Sequence, residues 1–444
     1  MRTATLTLLF TLATAAAQPA WAGDVLMISV DGLRPLDVIE AQSRGLTLPN
    51  LTAMLDTGAY ATGVRNVLPT VTYPNHTTLI TGVAPAVHGI SNNLTFDPLG
   101  RNFQGWYWYA SDIRVPTLWD AVHAAHKPVA SVSWPVSVGS PSIDYNLPEY
   151  WRALTKDDLK LLRALSTPGL IAQVEKDTGV TLAATFGETP DADAARARAA
   201  GDIFVRKHPR FMTLHLVALD ATQHEFGPGT PEARATLEKL DAAIGTLAAA
   251  ARKADPHLDI AIVSDHGFVA IQHDVNLMTA FVTAGLVTLD PATHKIVSWQ
   301  AEPWDAGGSA AVVLANPDDQ AVKDKVSALL TRLAADPANG IARVIGKEEI
   351  ARMGGGKEAS FWIDFALGYE SGSKLEGPLV TAGTNKGTHG FFPDHLEMRS
   401  TFMIEGPDVK KRGSLGDIDM RDIAPTLAKL MGVKLPSATG KALW

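Results

Sequence analysis

An α/β fold, with an open and mostly parallel sheet flanked by helices on both faces, is what this sequence predicts, and three observations predict it. Val25–Val30 is a nearly continuous apolar run ending at Asp31, Phe211–Leu219 ends at Asp220, and Leu258–Val263 ends just before Asp265. Strands buried on both faces read as apolar runs without strict alternation. Amphipathic stretches of helical length lie between them, at Pro116–His126, Asp191–Lys207 and Pro231–Ala254. Strand and helix therefore alternate as in a wound sheet. Each apolar run leads into an Asp at a carboxyl strand end, where open α/β sheets hold their ligands.

The remaining elements follow in chain order. Residues 1–22 carry Arg2, an Ala- and Leu-rich apolar stretch and the small-residue end Ala20-Trp21-Ala22. This is the pattern of a secretory signal peptide, with cleavage expected before Gly23. The stretch is short for a bilayer span, and no later segment does better. The expected mature chain, 23–444, is therefore periplasmic or secreted, with no transmembrane segment. From about 279 to 385 the texture changes: Ala310–Ala315 reads as a strand, Asp318–Ala335 as a helix, and Met353–Lys357 is Gly-rich. We expect a smaller lobe there, inserted into the catalytic domain. Ile418–Leu430 reads as a helix despite Pro425.

Composition narrows the function. The 444 residues are 46% hydrophobic and 19% charged, with a formal net charge of −8. That balance supports a large core and argues against a general nucleic-acid surface. A small nucleotide is still allowed, because bound cations supply local positive charge. Cysteine is absent, so any zinc must be held by Asp and His rather than thiolates.

Six such residues stand in short segments: VDGLRP (Asp31), DATQH (Asp220, His224), SDHGF (Asp265, His266) and GTHGF (His389). Asp220 and His224 fall one helical turn apart if a helix follows the strand, a spacing that suits one ion. Asp265 and His266 are adjacent at a strand end, and Gly267 allows close backbone approach. Taken singly, the first pair reads more readily as a surface pair and His389 as a solvent-exposed turn. Taken together, three carboxylates and three imidazoles suit two divalent ions, zinc in particular.

The stretch PTVTYPNHTTLITG holds Thr70, Thr72, Thr77 and Thr78. Pro74 suits the first turn of a helix. Thr72 then sits at the helix N-terminus, where free amides and the dipole favour an anion. Zinc lowers the pKa of a coordinated oxygen strongly, which would activate this hydroxyl without a neighbouring base. A β-branched residue filling a strand is the plainer alternative.

The set VDGLRP, PTVTYPNHTTLITGVAPAVHGISNN, DATQHEFGP, SDHGF and GTHGF resembles the nucleotide pyrophosphatase/phosphodiesterase family of the alkaline phosphatase superfamily, from Asp24 to about Pro407. The resemblance implies an alkaline phosphatase-like fold and a two-zinc hydrolase working through a phospho-threonine-type intermediate. It implies that one zinc takes Asp220, His224 and His389, and the other Asp31, Asp265, His266 and Thr72. Asn93 would donate a hydrogen bond to a phosphoryl oxygen; the plainer reading is that Asn92-Asn93 forms a turn. Two departures bear on substrate preference. Tyr73 stands where the family often has Phe, and HLVAL precedes Asp220 in place of the acidic stretch of animal members.

Two zinc ions against three Asp and a threonine alkoxide give a nearly neutral site, which suits a singly charged diester. No Arg or Lys lies between Asn66 and Arg101 to hold the extra charge of a monoester, and Lys386 and Arg34 read as solvated surface charges. The expected substrate is therefore a small phosphodiester, with a nucleotide favoured. A phosphomonoesterase, a phospholipid-headgroup phosphodiesterase and a silent zinc-stabilised binding protein are the alternatives. Tyr73, beside the nucleophile, is a candidate to stack on a base, with core packing as its other reading. Trp106–Tyr109 reads as packing, and Tyr145, Tyr150 and Trp151 as weaker pocket candidates.

Overall fold

A computed structural model describes residues 23–444; the leader expected at 1–22 lies outside the described residues. Eight strands form the main sheet: β1 (Val25–Val30), β2 (Ala59–Tyr60), β3 (Val129–Val132), β4 (Tyr145–Leu147), β5 (Phe211–Leu216), β6 (Asp259–Val263), β7 (Phe402–Glu405) and β8 (Gly413–Ser414). Their order is β8-β2-β7-β6-β1-β5-β3-β4. The block from β6 to β4 is parallel, and β7 runs antiparallel to both of its neighbours.

The apolar runs sort by a period of two onto the two faces of this sheet. Leu26, Ile28 and Val30 join Met212, Leu214, Ile260 and Ile262 in one core, covered by helices Pro190–Lys207 and Pro231–Ala254. Val25, Met27, Phe211, Ala261 and Val263 face the opposite core, with Leu79 and Ile80 of helix Thr72–Thr81 and with Trp119 and Leu427. Helices on both faces explain why the central strands lack polar alternation.

Register positions the site. Val25 is level with Phe211 and Asp259 in the parallel block, so β1, β5 and β6 release Asp31, Val217 and Ser264 side by side at one sheet edge. Between β6 and β7 the chain builds a four-stranded antiparallel sheet in the order Ala301–Asp305, Ser309–Leu314, Ala359–Phe365, Ile341–Gly346. Helix Gln320–Ala334 contributes Val326, Leu329 and Leu330 to the core on one face of it. Two further segments, Tyr369–Ser371 and Val380–Ala382, pair with His273–Val275.

Two expected elements differ. The apolar run Phe211–Leu219 is not one strand: β5 stops at Leu216 and a helix spans Ala218–Phe226, so Asp220 lies in a first helical turn. The Asp193 carboxylate forces this, accepting from the N–H groups of Val217 (3.2 Å) and Ala218 (2.8 Å). At the C-terminus, Asp417–Asp419 is a strand beside Gly63–Arg65, and only Ile423–Leu430 is α-helical. Pro425 then falls in the first turn, where its missing N–H breaks no helical bond.

Candidate active site

All of the sequence-predicted metal-binding side chains converge at this sheet edge. Asp31 follows β1 and Asp265-His266 follow β6. Asp220 and His224 share one face of helix Ala218–Phe226, and His389 comes from the loop after strand Gly387–Thr388. Ligand atoms of Asp31, Asp265 and His266 lie within 4.8 Å of one another, as do those of Asp220, His266 and His389. His266 Nε2 is 3.0 Å from Asp265 Oδ2 and 3.2 Å from Asp31 Oδ1. Asp220 meets His224 Nε2 at 3.5 Å and His389 Nε2 at 3.6 Å. The His266 and His389 rings stack at 3.5 Å, and His266 thus stands between the two groups.

The backbone fixes how the imidazoles are turned. Nδ1 of His224, His389 and His266 faces the carbonyls of Gly387 (2.9 Å), Thr70 (3.1 Å) and Gly267 (3.2 Å). A ring nitrogen that donates to a carbonyl leaves Nε2 as the ligating atom. Two glycines permit the crowding. Gly32 adopts φ +68°, and its N–H donates to Asp265 Oδ1 at 3.2 Å. A Cβ on Gly267 would fall 1.9 Å from the Glu397 carbonyl oxygen.

Among the described residues, three buried carboxylate oxygens in the cluster, Asp31 Oδ1, Asp220 Oδ1 and Asp265 Oδ2, make no hydrogen bond, and the first and last face only the His266 imidazole at ion-pair distance. Buried carboxylates normally find donors or cations. Burial pushes Asp31 well above the ordinary carboxylate range, reinforced by the charges of Asp265 and Asp220. Burial alone would neutralise His266, but Asp265, Asp31 and Asp220 hold it up at about 9. Bare oxygens, aligned Nε2 atoms and an all-Asp/His donor set fit divalent cations such as zinc.

Thr72 is the first residue of helix Thr72–Thr81, with Oγ1 3.5 Å from His266 Nε2. Its approach is stitched by Asn75, whose side chain accepts from the Val67 N–H and donates to the Pro69 and Val71 carbonyls. His76 Nδ1 bonds the Thr72 carbonyl at 2.9 Å and its Nε2 meets Ser29. Asn93 is beside Thr72 as well: its Oδ1 accepts from the Tyr73 N–H at 2.8 Å. The rival hydroxyls are engaged elsewhere. Thr70 donates to the Phe391 carbonyl at 2.7 Å, Thr77 to Tyr73, and Thr78 to Val83.

Tyr73 departs from its expected role. The side chain is 1% exposed, its ring lies 5.1 Å from Trp106 and 6.2 Å from Trp108, and its hydroxyl donates to Glu149 at 3.1 Å. A ring covered in this way offers no face to a base, so packing describes it. The Trp106–Tyr109 cluster and the Tyr150–Trp151 pair, distant in sequence, form one aromatic wall, with Trp151 4.7 Å from Trp106 and Tyr150 5.2 Å from Trp108. Arg34 is bound to Asp37 at 2.8 Å and lines a cavity with Arg44 and Arg234.

Sequence reasoning missed the supports around the cluster. His215 adjoins Asp31 and Glu149 adjoins His215, the Asn66 amide donates to the Asp265 carbonyl, and Asp193 caps the Asp220 helix. Only His215, a lone imidazole inside an apolar strand, left a visible signal.

The chain matches the family model "Type I phosphodiesterase / nucleotide pyrophosphatase" over residues 25–392. Among curated proteins it is similar to an uncharacterized pyrophosphatase/phosphodiesterase of Schizosaccharomyces pombe. The two are 27% identical over 253 residues, covering 55% of this chain and 44% of that one. Ectonucleotide pyrophosphatase/phosphodiesterase family member 1 of Mus musculus is 26% identical over 254 residues, covering 54% of this chain and 24% of its own. The matches thus span less than half the length of these relatives. Human ectonucleotide pyrophosphatase/phosphodiesterase 5 superposes with a TM-score of 0.67 at 20% identity, covering 94% of this chain and 97% of that one. The murine counterpart, an inactive threonine-to-alanine variant in complex with AMP, also gives 0.67, at 19% identity with the same coverage.

Proposed function

The chain belongs to the type I phosphodiesterase / nucleotide pyrophosphatase family, and from that premise we propose that it is an exported two-zinc hydrolase of phosphodiester or phosphoanhydride bonds. The single observation that carries the metal requirement is the set of three bare, buried carboxylate oxygens facing imidazole Nε2 atoms. Asp220, His224 and His389 would hold one zinc, and Asp31, Asp265, His266 and Thr72 the other. Bound there, zinc supplies Lewis-acid polarisation of phosphoryl oxygens and depresses hydroxyl and water pKa values.

The chain's own groups do the rest. The Thr72 hydroxyl gives up its proton and its Oγ1 attacks phosphorus; the P–O bond on the far side breaks, the departing alcohol or phosphate oxygen takes up a proton, and a threonine phosphodiester remains. Water then attacks that phosphorus, releases the phosphomonoester product and returns the Thr72 hydroxyl. The amide end of helix Thr72–Thr81 favours the anionic phosphoryl group. With Asn93 Oδ1 engaged by Tyr73 N–H, Nδ2 is the end of the amide free to donate to a phosphoryl oxygen.

A diester substrate fits better than a monoester. Arg34 is committed to Asp37, so its guanidinium is not free to hold the extra monoester charge. A nucleotide is the favoured substrate, in line with the AMP bound by the murine structural neighbour. The leader pattern in residues 1–22 and the ectoenzyme relatives support export to the periplasm or medium. We further treat residues from about 279 to 385 as a lobe inserted into the catalytic domain. Assaying the zinc-loaded protein on nucleoside triphosphates, dinucleotides, phosphocholine esters and matched monoesters tests the reading. Turnover of monoesters alone would overturn the diester assignment.

A further inference from the structure

Asp31 does not stand alone behind the cluster. His215, on β5, places Nε2 3.0 Å from Asp31 Oδ2. Its Nδ1 lies 3.2 Å from the Ser133 carbonyl oxygen and 3.3 Å from Glu149 Oε2. Both ring nitrogens thus face acceptors, and the imidazole bridges two carboxylates. The bridge occupies Oδ2 of Asp31 and leaves Oδ1, the bare oxygen, aimed at His266. Glu149 divides its oxygens in the same manner: Oε2 takes His215, while Oε1 accepts from the Tyr73 hydroxyl (3.1 Å) and from Trp151 Nε1 (3.2 Å). Tyr73 follows Thr72 directly. Glu149 and Trp151 also line a cavity of about 470 Å³ with Leu154, Phe186 and Val217.

We infer that Glu149 is a positioning residue: through His215 it fixes which oxygen of Asp31 ligates metal, and through Tyr73 and Trp151 it locks that geometry to the wall beside Thr72. This rests on the zinc-hydrolase reading above. The chemistry demands a carboxylate, because donors approach from two sides and each needs its own acceptor oxygen. A glutamine has a single acceptor oxygen, so either His215 or the Tyr73–Trp151 pair must face its NH2 group in place of a carboxylate oxygen.

The test is a competition titration of zinc into the apo forms of the full mature chain, wild type, Glu149→Gln, His215→Gln and the double variant, with kcat and KM measured on zinc-loaded protein. Groups that orient a metal ligand typically govern affinity or activity by about 10- to 100-fold. Glu149→Gln should therefore weaken one of two zinc sites about 10- to 100-fold, spare the other, and lower kcat more than it raises KM. The double variant should lose no more than the worse single one, because both act along one path. A folded Glu149→Gln protein with two sites of wild-type affinity overturns the inference even if the His215 variants fail to fold. Losses that simply multiply in the double variant overturn it as well. Wild-type protein that takes up no zinc would instead overturn the zinc reading on which it rests.

Discussion

The Asn93 side-chain carbonyl accepts the backbone N–H of Tyr73 at 2.8 Å, which fixes the amide one residue beyond the proposed nucleophile and turns its NH2 end to the side of the proposed phosphoryl contact. Asn93→Ala should lower kcat by roughly a hundredfold, the cost found for oxyanion donors, with zinc content unchanged. Asn93→Asp keeps an acceptor for Tyr73 N–H but loses the donor and adds charge, so it should be at least as impaired. Steady-state kinetics with metal analysis check both; a fully active Asn93→Asp variant would remove the donor role.

Asn92 is a different case. It is buried, donates to the Asp305 carbonyl at 2.8 Å and accepts from the Asn93 N–H at 2.7 Å. Asn92→Ala strands both groups and should cost about 1–3 kcal/mol of stability, with activity falling through misplacement of Asn93. Denaturant unfolding measures the cost. An unchanged midpoint would show that these bonds contribute little.

The two candidate hydroxyls separate cleanly. Thr72→Ala should abolish turnover, and Thr72→Ser should retain part of it because the hydroxyl survives. Thr70→Ala removes a bond to the Phe391 carbonyl, so its effect should be on stability, about 1 kcal/mol, with most activity kept. Loss of all turnover in Thr70→Ala alone would shift the nucleophile by two residues.

Metal removal should act on the fold as well as on the rate. Without cations the crowded Asp31 and Asp265 carboxylates have only the His266 imidazole between them. Chelation should abolish activity and lower the unfolding temperature, and zinc should restore both. A ligand at a thousand times its Kd adds about 4 kcal/mol, so the shift should be plain in a thermal melt. Full activity in rigorously metal-free protein would refute the metal site.

Away from the site, Glu302 is 6% exposed, Oε2 has no hydrogen-bond partner among the described residues, and burial, with Asp305 and Asp97, raises its pKa to about 8. Between the ordinary glutamate value near 4.5 and about 8 the folded state holds a proton that the unfolded state has lost. Stability therefore falls as pH rises through that window. Glu302→Met cannot titrate, so its advantage over wild type should grow from pH 4.5 to 8 and then level off. Melting curves across pH test this; a pH-independent difference would show that Glu302 does not titrate there.

Much of the fold was legible because burial on two faces writes itself into strands such as Val25–Val30 as unbroken apolar runs. The candidate ligands could be singled out because Asp31, Asp265 and His266 sit at strand ends beside glycine. The Asp220 helix began earlier than its apolar run implied, because Asp193, distant in sequence, supplies the cap. Tyr73 was ambiguous for the same reason. The tryptophans that cover it arrive from Trp106 and Trp108, a contact that no local pattern encodes. The contacts of His215 with Asp31 and Glu149 are tertiary, joining strand β5 to the end of β1 and to the loop after β4.

The most direct test of the central claim is acid-quench trapping. Zinc-loaded protein is mixed with a phosphodiester substrate, quenched within a turnover, digested and examined by peptide mass spectrometry. The account predicts a substrate-derived phosphoryl adduct on Thr72, absent from Thr72→Ala and from chelated protein. An adduct on another residue, or an adduct that forms equally in the Thr72→Ala protein, would contradict it.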